Sequence, residues 1–153
     1  MNLQIQNRLR QRGHAVIEVS LMAPWIFFLF MGIMDFGYYA YSAISVENAA
    51  RAAVIMTAID TNTAANSTTA CNYALVELQG LSNANGQTSC ASSAGSVSSS
   101  QPIAVVATQV NGVDGTLASQ VAVTYQTMQM FPIPGVMGQM TITRTAQMRL
   151  RDQ

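Results

Sequence analysis

The side chains able to do chemistry are few, and most crowd one end of the chain. Arg8, Arg10 and Arg12 precede Gly13 and His14, and Glu18 follows after four further residues. His14 is the one histidine, Cys71 and Cys90 are the two cysteines, and all seven basic residues are arginine. Beyond Glu47 the carboxylates are Asp60, Glu77, Asp114 and Asp152. General acid–base catalysis needs several positioned titratable groups, and this supply is too thin. No serine stands in a nucleophile-elbow context and no glycine loop could cradle a phosphate. The sequence therefore reads as a non-enzyme without cofactor, metal site or small-molecule substrate. A metal would need more ligands than one histidine far from both cysteines. What remains is a carboxylate in apolar surroundings, a backbone site at a glycine, and a thiol pair.

Glu18 lies just inside a long apolar run. Over residues 19–34 only Ser20 and Pro24 interrupt it, with Gly32 neutral. The 28 residues from His14 to Tyr41 would span roughly 42 Å as a helix, and a bilayer core of about 30 Å needs roughly 20 apolar residues. The run is long enough to cross a membrane with tilt to spare. Trp25 falls near one end, and Tyr38, Tyr39 and Tyr41 gather at the other, where aromatic rings suit the headgroup level. The arginines come first, so the positive-inside rule puts the N-terminus in the cytoplasm and the remainder outside. Two other readings compete. One is a secretory signal cut near Ala40-Tyr41-Ser42, against which stand the bulky aromatics and Asp35 just upstream. The other is a buried helix of a soluble domain, which the lack of a polar face opposes.

Pro24 removes one amide donor and frees the carbonyl of Ser20, and a simple membrane kink accounts for it. A carboxylate in the bilayer costs about 2.5–3.5 kcal/mol even on insertion scales. Glu18 is then either a functional group or a side chain snorkelling to the inner interface beside Arg12. Asp35 lies near the outer end, within reach of water. Outside the cytoplasm a pair such as Cys71 and Cys90 is most simply a disulfide, and closing a loop of about 20 residues contributes roughly 3 kcal/mol.

The order basic leader, Gly13, four residues, Glu18 and apolar run resembles a type IV prepilin signal. The segment GHAVIEVSLMAPWIFFLFMGIMDFGYYAY followed by VENAARAAV is similar to the TadE/TadG-like pseudopilins of tight-adherence, Flp-type pilus systems. So is the ending VAVTYQTMQMFPIPGVMGQMTITRTAQMR. His14 departs from the small residue common at its position, and residues 60–118 resemble nothing in particular. The resemblance implies cleavage between Gly13 and His14 by a prepilin peptidase, with the helix retained in the membrane. It implies that Glu18 serves assembly by meeting a neighbouring subunit's N-terminus. Its partners would be the membrane, the peptidase, other pilin-like subunits and inner-membrane assembly proteins. Removing residues 1–13 leaves four arginines against seven acidic side chains, so nothing basic invites nucleic acid.

The elements that must position these groups follow in order. Residues 44–59 are alanine-rich and helix-favouring, with Glu47 and Arg51 at the i, i+4 spacing of a surface pair. One helix from about residue 15 to about 58 is expected. Ala49, Ala50, Ala52 and Ala53 either admit a second helix closely or simply favour helix. Residues 60–69 read as a loop in which Asn66-Ser67-Thr68 fits a glycosylation sequon, itself a common pattern. Residues 70–81 carry apolar side chains at helical spacing, and 82–101 form a Ser/Gly/Asn-rich loop. Residues 103–110, 121–130 and 140–150 read as strands, with Asn111-Gly112 opening a hairpin turn. The apolar connection 131–138 fits either turn packing or contact with a partner or the membrane surface. The ten methionines read as gap-fillers.

The expected fold is α+β and pilin-like: a long N-terminal transmembrane α-helix, then a small head with a short helix and a three-stranded antiparallel sheet. The expected parts are a cleaved leader (1–13), the helix (14–59, with its membrane half at 15–41) and an extracytoplasmic head (60–153). The expected function is a minor pilin or pseudopilin of a bacterial tight-adherence pilus. It would be single-pass in the inner membrane and able to enter a surface pilus. The alternative is an uncleaved membrane accessory protein of a secretion or pilus system. A secreted binding module is the third class.

Overall fold

The computed structural model describes residues 3–129 and 138–151, with side chains described from residue 16 onward. The elements are α1 (Leu3–Thr57), α2 (Ser67–Leu78), a 3-10 turn (Ala94–Ser96), β1 (Ile103–Asn111), β2 (Leu117–Gln126) and β3 (Thr141–Arg149). The layout is α+β, with one sheet in the order β1-β2-β3. Both strand pairings are antiparallel. All but Gly138 of the expected connection 131–138 lies outside the described residues.

α1 starts at Leu3, well before residue 15, because the leader holds no helix breaker until Gly13 and one glycine does not stop a helix. It ends at Thr57, where the following DTNT segment offers the backbone better local partners. The Asp60 Oδ1 accepts from the Thr63 amide at 2.7 Å, and the Thr63 hydroxyl donates to the Thr57 carbonyl at 3.1 Å. α2 begins three residues earlier than its apolar spacing indicates. Asn66 caps it, its side-chain oxygen accepting from the amides of Thr68 (3.1 Å) and Thr69 (3.0 Å). That satisfies two donors that a helix start leaves open.

By contacts the chain divides into residues 1–38 and 39–153. In the second unit the core joins four sources. α1 supplies Val46, Ala49, Ala50, Ala53 and Val54, and α2 supplies Ala70, Ala74, Leu75 and Leu78. The sheet supplies Ile103, Val105, Val121, Val123, Tyr125 and Ile142, and the loop after α2 adds Leu81 and Ala84. Alanines on α1 are therefore core residues of the head itself, and of the four only Ala52 is left half-exposed. Ala49, Ala50 and Ala53 are fully buried, so a larger side chain there would overpack.

In β2 the core set Val121, Val123 and Tyr125 alternates with Gln120, Ala122, Thr124 and Gln126, as a pleated strand dictates. Thr124 departs from a simple half-buried pattern. It is buried, and its hydroxyl meets that of Thr143 across the pairing at 3.0 Å. The loop after α2 returns along β1, where Ala91 bridges to Ala104 in parallel. The Ala91 amide donates to the Ile103 carbonyl at 2.9 Å and the Val105 amide to the Ala91 carbonyl at 3.2 Å. This covers one end of an edge strand that would otherwise present open backbone groups.

Among the described residues the Gln126 Oε1 is buried without a hydrogen-bond partner, whereas other buried polar groups of the head are paired. The hydroxyls of Thr57 and Ser119 lie 2.7 Å apart, and Ser119 donates to the Ala64 carbonyl at 2.8 Å. The Tyr125 hydroxyl donates to Asn83, whose amide donates to the Gln126 carbonyl at 2.9 Å. Beside the first of these a second small cluster forms from Ala58, Ala64 and Leu150.

Candidate functional site

The first unit presents apolar side chains on every side. Val16, Ile17, Val19, Leu21, Met22, Trp25, Ile26, Phe27, Phe28, Leu29, Phe30, Ile33 and Phe36 are all exposed, Trp25 to 78%. Water does not tolerate so large a contiguous apolar surface, which marks a segment covered by lipid or protein. Val16–Thr57 includes a stretch long and apolar enough to cross a membrane. Length and composition thus fit a single-pass membrane protein.

Within this helix the sequence-marked residues take these places. Gly13 and His14 lie inside the helical backbone of α1, while the side chains of His14, Arg8, Arg10 and Arg12 lie outside the described residues. Glu18 is exposed, and no ion pair among the described residues includes it. Pro24 is also exposed within the helix. The Ser20 hydroxyl donates to the Val16 carbonyl at 2.8 Å, one turn before the carbonyl that Pro24 leaves without its helical donor.

The thiol pair belongs to the second unit. Cys71, on α2, and Cys90 form a disulfide with Cα atoms 5.9 Å apart, tying the loop's return to the helix. Cys71 is buried and Cys90 half-buried. No cluster of histidine, cysteine or carboxylate side chains able to hold a metal occurs among the described residues.

Other arrangements had no local signal. Glu47 pairs with Arg51 at 3.0 Å, as the spacing indicates, but also with Arg144 on β3 at 3.9 Å. The second partner is distant in sequence, and no local pattern announces it. The Tyr41 ring crosses to the loop after α2. Its hydroxyl stands 3.0 Å from where a side chain on Gly80 would begin. Tyr39 packs against the head core. At least two of the three tyrosines therefore have a packing role that an interface belt alone does not supply.

The comparison with known families bears on the N-terminal helix. The family model of the TadE-like proteins matches residues 13–54. The chain is similar to that family over this segment. The match opens at Gly13, contains Glu18, Pro24 and Asp35, and stops within α1 after the core alanines. No curated protein and no solved structure matches the chain significantly. The TadE-like match suggests a pilus-related role, with membrane association and pilin-like partners, in a family that is structural rather than enzymatic.

Proposed function

We propose that the chain is a minor pilin or pseudopilin of a bacterial tight-adherence pilus. It is held in the inner membrane by α1, with its N-terminus cytoplasmic and its head outside, and it is processed between Gly13 and His14. The observation that carries this reading is the TadE-like match beginning at Gly13, on a helix whose apolar residues are exposed on all sides. Three arginines before the match fit a cytoplasmic leader. The disulfide in the head fits an oxidising compartment.

In this mechanism Gly13 supplies a backbone that a peptidase can approach without side-chain obstruction. The helix runs through the scissile bond, so cleavage requires local unwinding there. Glycine lowers that cost by roughly 1 kcal/mol relative to alanine. Cleavage creates an α-amino group on His14, one turn from Glu18. A carboxylate in a low dielectric gains most from meeting such a charge on a neighbouring subunit, which rewards correct axial register. Prepilin peptidase, other pilin-like subunits and inner-membrane assembly proteins are then the partners.

The unbroken helix through Gly13 and His14 favours a second reading, an uncleaved single-pass accessory protein of a secretion or pilus system. Intact mass spectrometry of protein purified from native membranes separates the two. A chain beginning at His14 is expected. One beginning at Met1 or Asn2 establishes the uncleaved anchor, and one beginning near Ala43 a secreted module.

A further inference from the structure

Two Asn-Gly pairs occur in the sequence, Asn85-Gly86 and Asn111-Gly112. Glycine after asparagine leaves the next backbone amide open to the asparagine side chain, because no Cβ obstructs the approach. Chain sequence alone makes the two pairs equivalent. Their surroundings differ in three ways.

At Asn111-Gly112 the backbone is held. Asn111 pairs with Leu117 at the end of the β1–β2 ladder. The Gly112 amide donates to the Thr116 carbonyl at 2.7 Å, and the Gly115 amide to the Gly112 carbonyl at 3.0 Å. Space beside Gly112 is filled, since a Cβ there would meet the Asp114 Oδ1 at 2.8 Å. That carboxylate also opposes any build-up of negative charge on the Gly112 nitrogen.

At Asn85-Gly86 all three are reversed. Both residues are exposed, and the Gly86 amide has no hydrogen-bond partner among the described residues. Gly86 takes φ +82° with nothing near a built Cβ. Two bonds flank the 85–86 peptide, from the Asn85 amide to the Leu81 carbonyl at 3.1 Å and from the Gln87 amide to the Ala84 carbonyl at 3.2 Å, and neither engages the Gly86 amide itself. No charged side chain occurs anywhere in residues 79–102.

We propose that Asn85 is a self-modifying site of the folded head and that Asn111 is protected by the fold. The Gly86 nitrogen loses its proton to solvent and bonds to the Asn85 side-chain carbonyl carbon. The side-chain nitrogen leaves as ammonia, giving a cyclic imide. Water then opens the imide at either carbonyl, producing aspartate or isoaspartate. The product is the first charge in the loop that Cys90 ties to α2, and the isoaspartate form also lengthens the backbone at a left-handed turn. The conversion marks the age of a subunit on its surface.

The test uses the full chain in detergent micelles with its disulfide intact, held in mildly alkaline buffer and followed by peptide mapping. Fragmentation that separates aspartate from isoaspartate scores both sites. Asn85 is expected to convert roughly tenfold or more faster than Asn111, since each hydrogen bond retained at Asn111 must first open. In urea the two rates should converge. Comparable native rates at the two sites would overturn the proposal, as would a difference that persists in urea, which would place the cause in local sequence. Asp114→Ala, which adds no new Asn-Gly pair beside Gly115, gives a further arm: it should accelerate Asn111 and leave Asn85 unchanged, and an unchanged Asn111 rate would remove the protective role assigned to that turn.

Discussion

Glu18 is the residue on which the proposed assembly role turns. Glu18→Gln should leave the protein in the membrane fraction, yet sharply reduce its recovery with pilin-like partners after crosslinking. Equal recovery would remove Glu18 from assembly. In the head, Thr57 joins α1 to the sheet by a buried hydrogen bond with Ser119. Ser119→Ala leaves the Ala64 carbonyl without its donor, while the Thr57 hydroxyl keeps the Ala53 and Val54 carbonyls, at a cost of about 1–3 kcal/mol in urea unfolding. Asp60 carries a pH signature. The Thr63 backbone amide, then its hydroxyl, hold the Asp60 carboxyl below its ordinary value. The stability this confers is complete above the unfolded pKa and is lost as pH falls through the lower folded value. The urea midpoint should therefore drop in acid, and Asp60→Asn should flatten part of that drop. At this scale the sequence showed Glu18 by its oddity in an apolar run, and the Glu47–Arg51 pair by its spacing. It could not show Arg144 beside Glu47 or Ser119 beside Thr57. Each of those contacts depends on how separate elements pack, and neither residue is unusual where it stands.

Among the elements, α2 shows how a short motif can have a plain structural use. Asn66-Ser67-Thr68 reads as a sequon, but the Asn66 side chain caps the helix and the Ser67 hydroxyl accepts from the Ala107 amide at 3.0 Å. Asn66→Ala should cost about 1 kcal/mol in thermal or urea unfolding, and Asn66→Asp close to nothing. The apolar spacing of residues 70–81 revealed that a helix exists but not where it starts, because the cap lies outside the periodic part. The strands were legible from alternation, and β2 begins earlier than its valines indicate. There Leu117, Ala118 and Ser119 continue the ladder opposite Asn111, Val110 and Gln109. Small residues carry little pattern, although the pairing accepts them. The alanines of α1 were ambiguous for the same reason. Their burial in the head makes Ala50→Leu a test: overpacking should destabilise the head by about 1–3 kcal/mol.

For the whole molecule, the core contribution of Val46, Ala49, Ala50, Ala53 and Val54 decides where a soluble fragment must begin. A fragment of residues 39–153 should give a cooperative unfolding transition by circular dichroism. One of residues 60–153, the head expected from composition, should not, because it loses one wall of its core. A cooperative transition in the shorter fragment would show that the sheet and α2 suffice. The general plan, an apolar helix followed by an α+β head, was readable from hydropathy and alternation. The overlap between the two parts was not, since alanine serves equally as helix former and as core.

The way β3 and the residues after it pack has a consequence for biogenesis. The Arg151 amide donates to the Ala58 carbonyl at 3.0 Å, the Leu150 amide to the Leu117 carbonyl at 3.1 Å, and the Leu150 side chain is buried with Ala58 and Ala64. Residues 150–151 thus close against the residues that end the first helix, so the head cannot be complete before β3 has been made and paired. Until then β2 has an open edge. During synthesis the head therefore stays open to chaperones, and to edge pairing with other chains, until β3 docks.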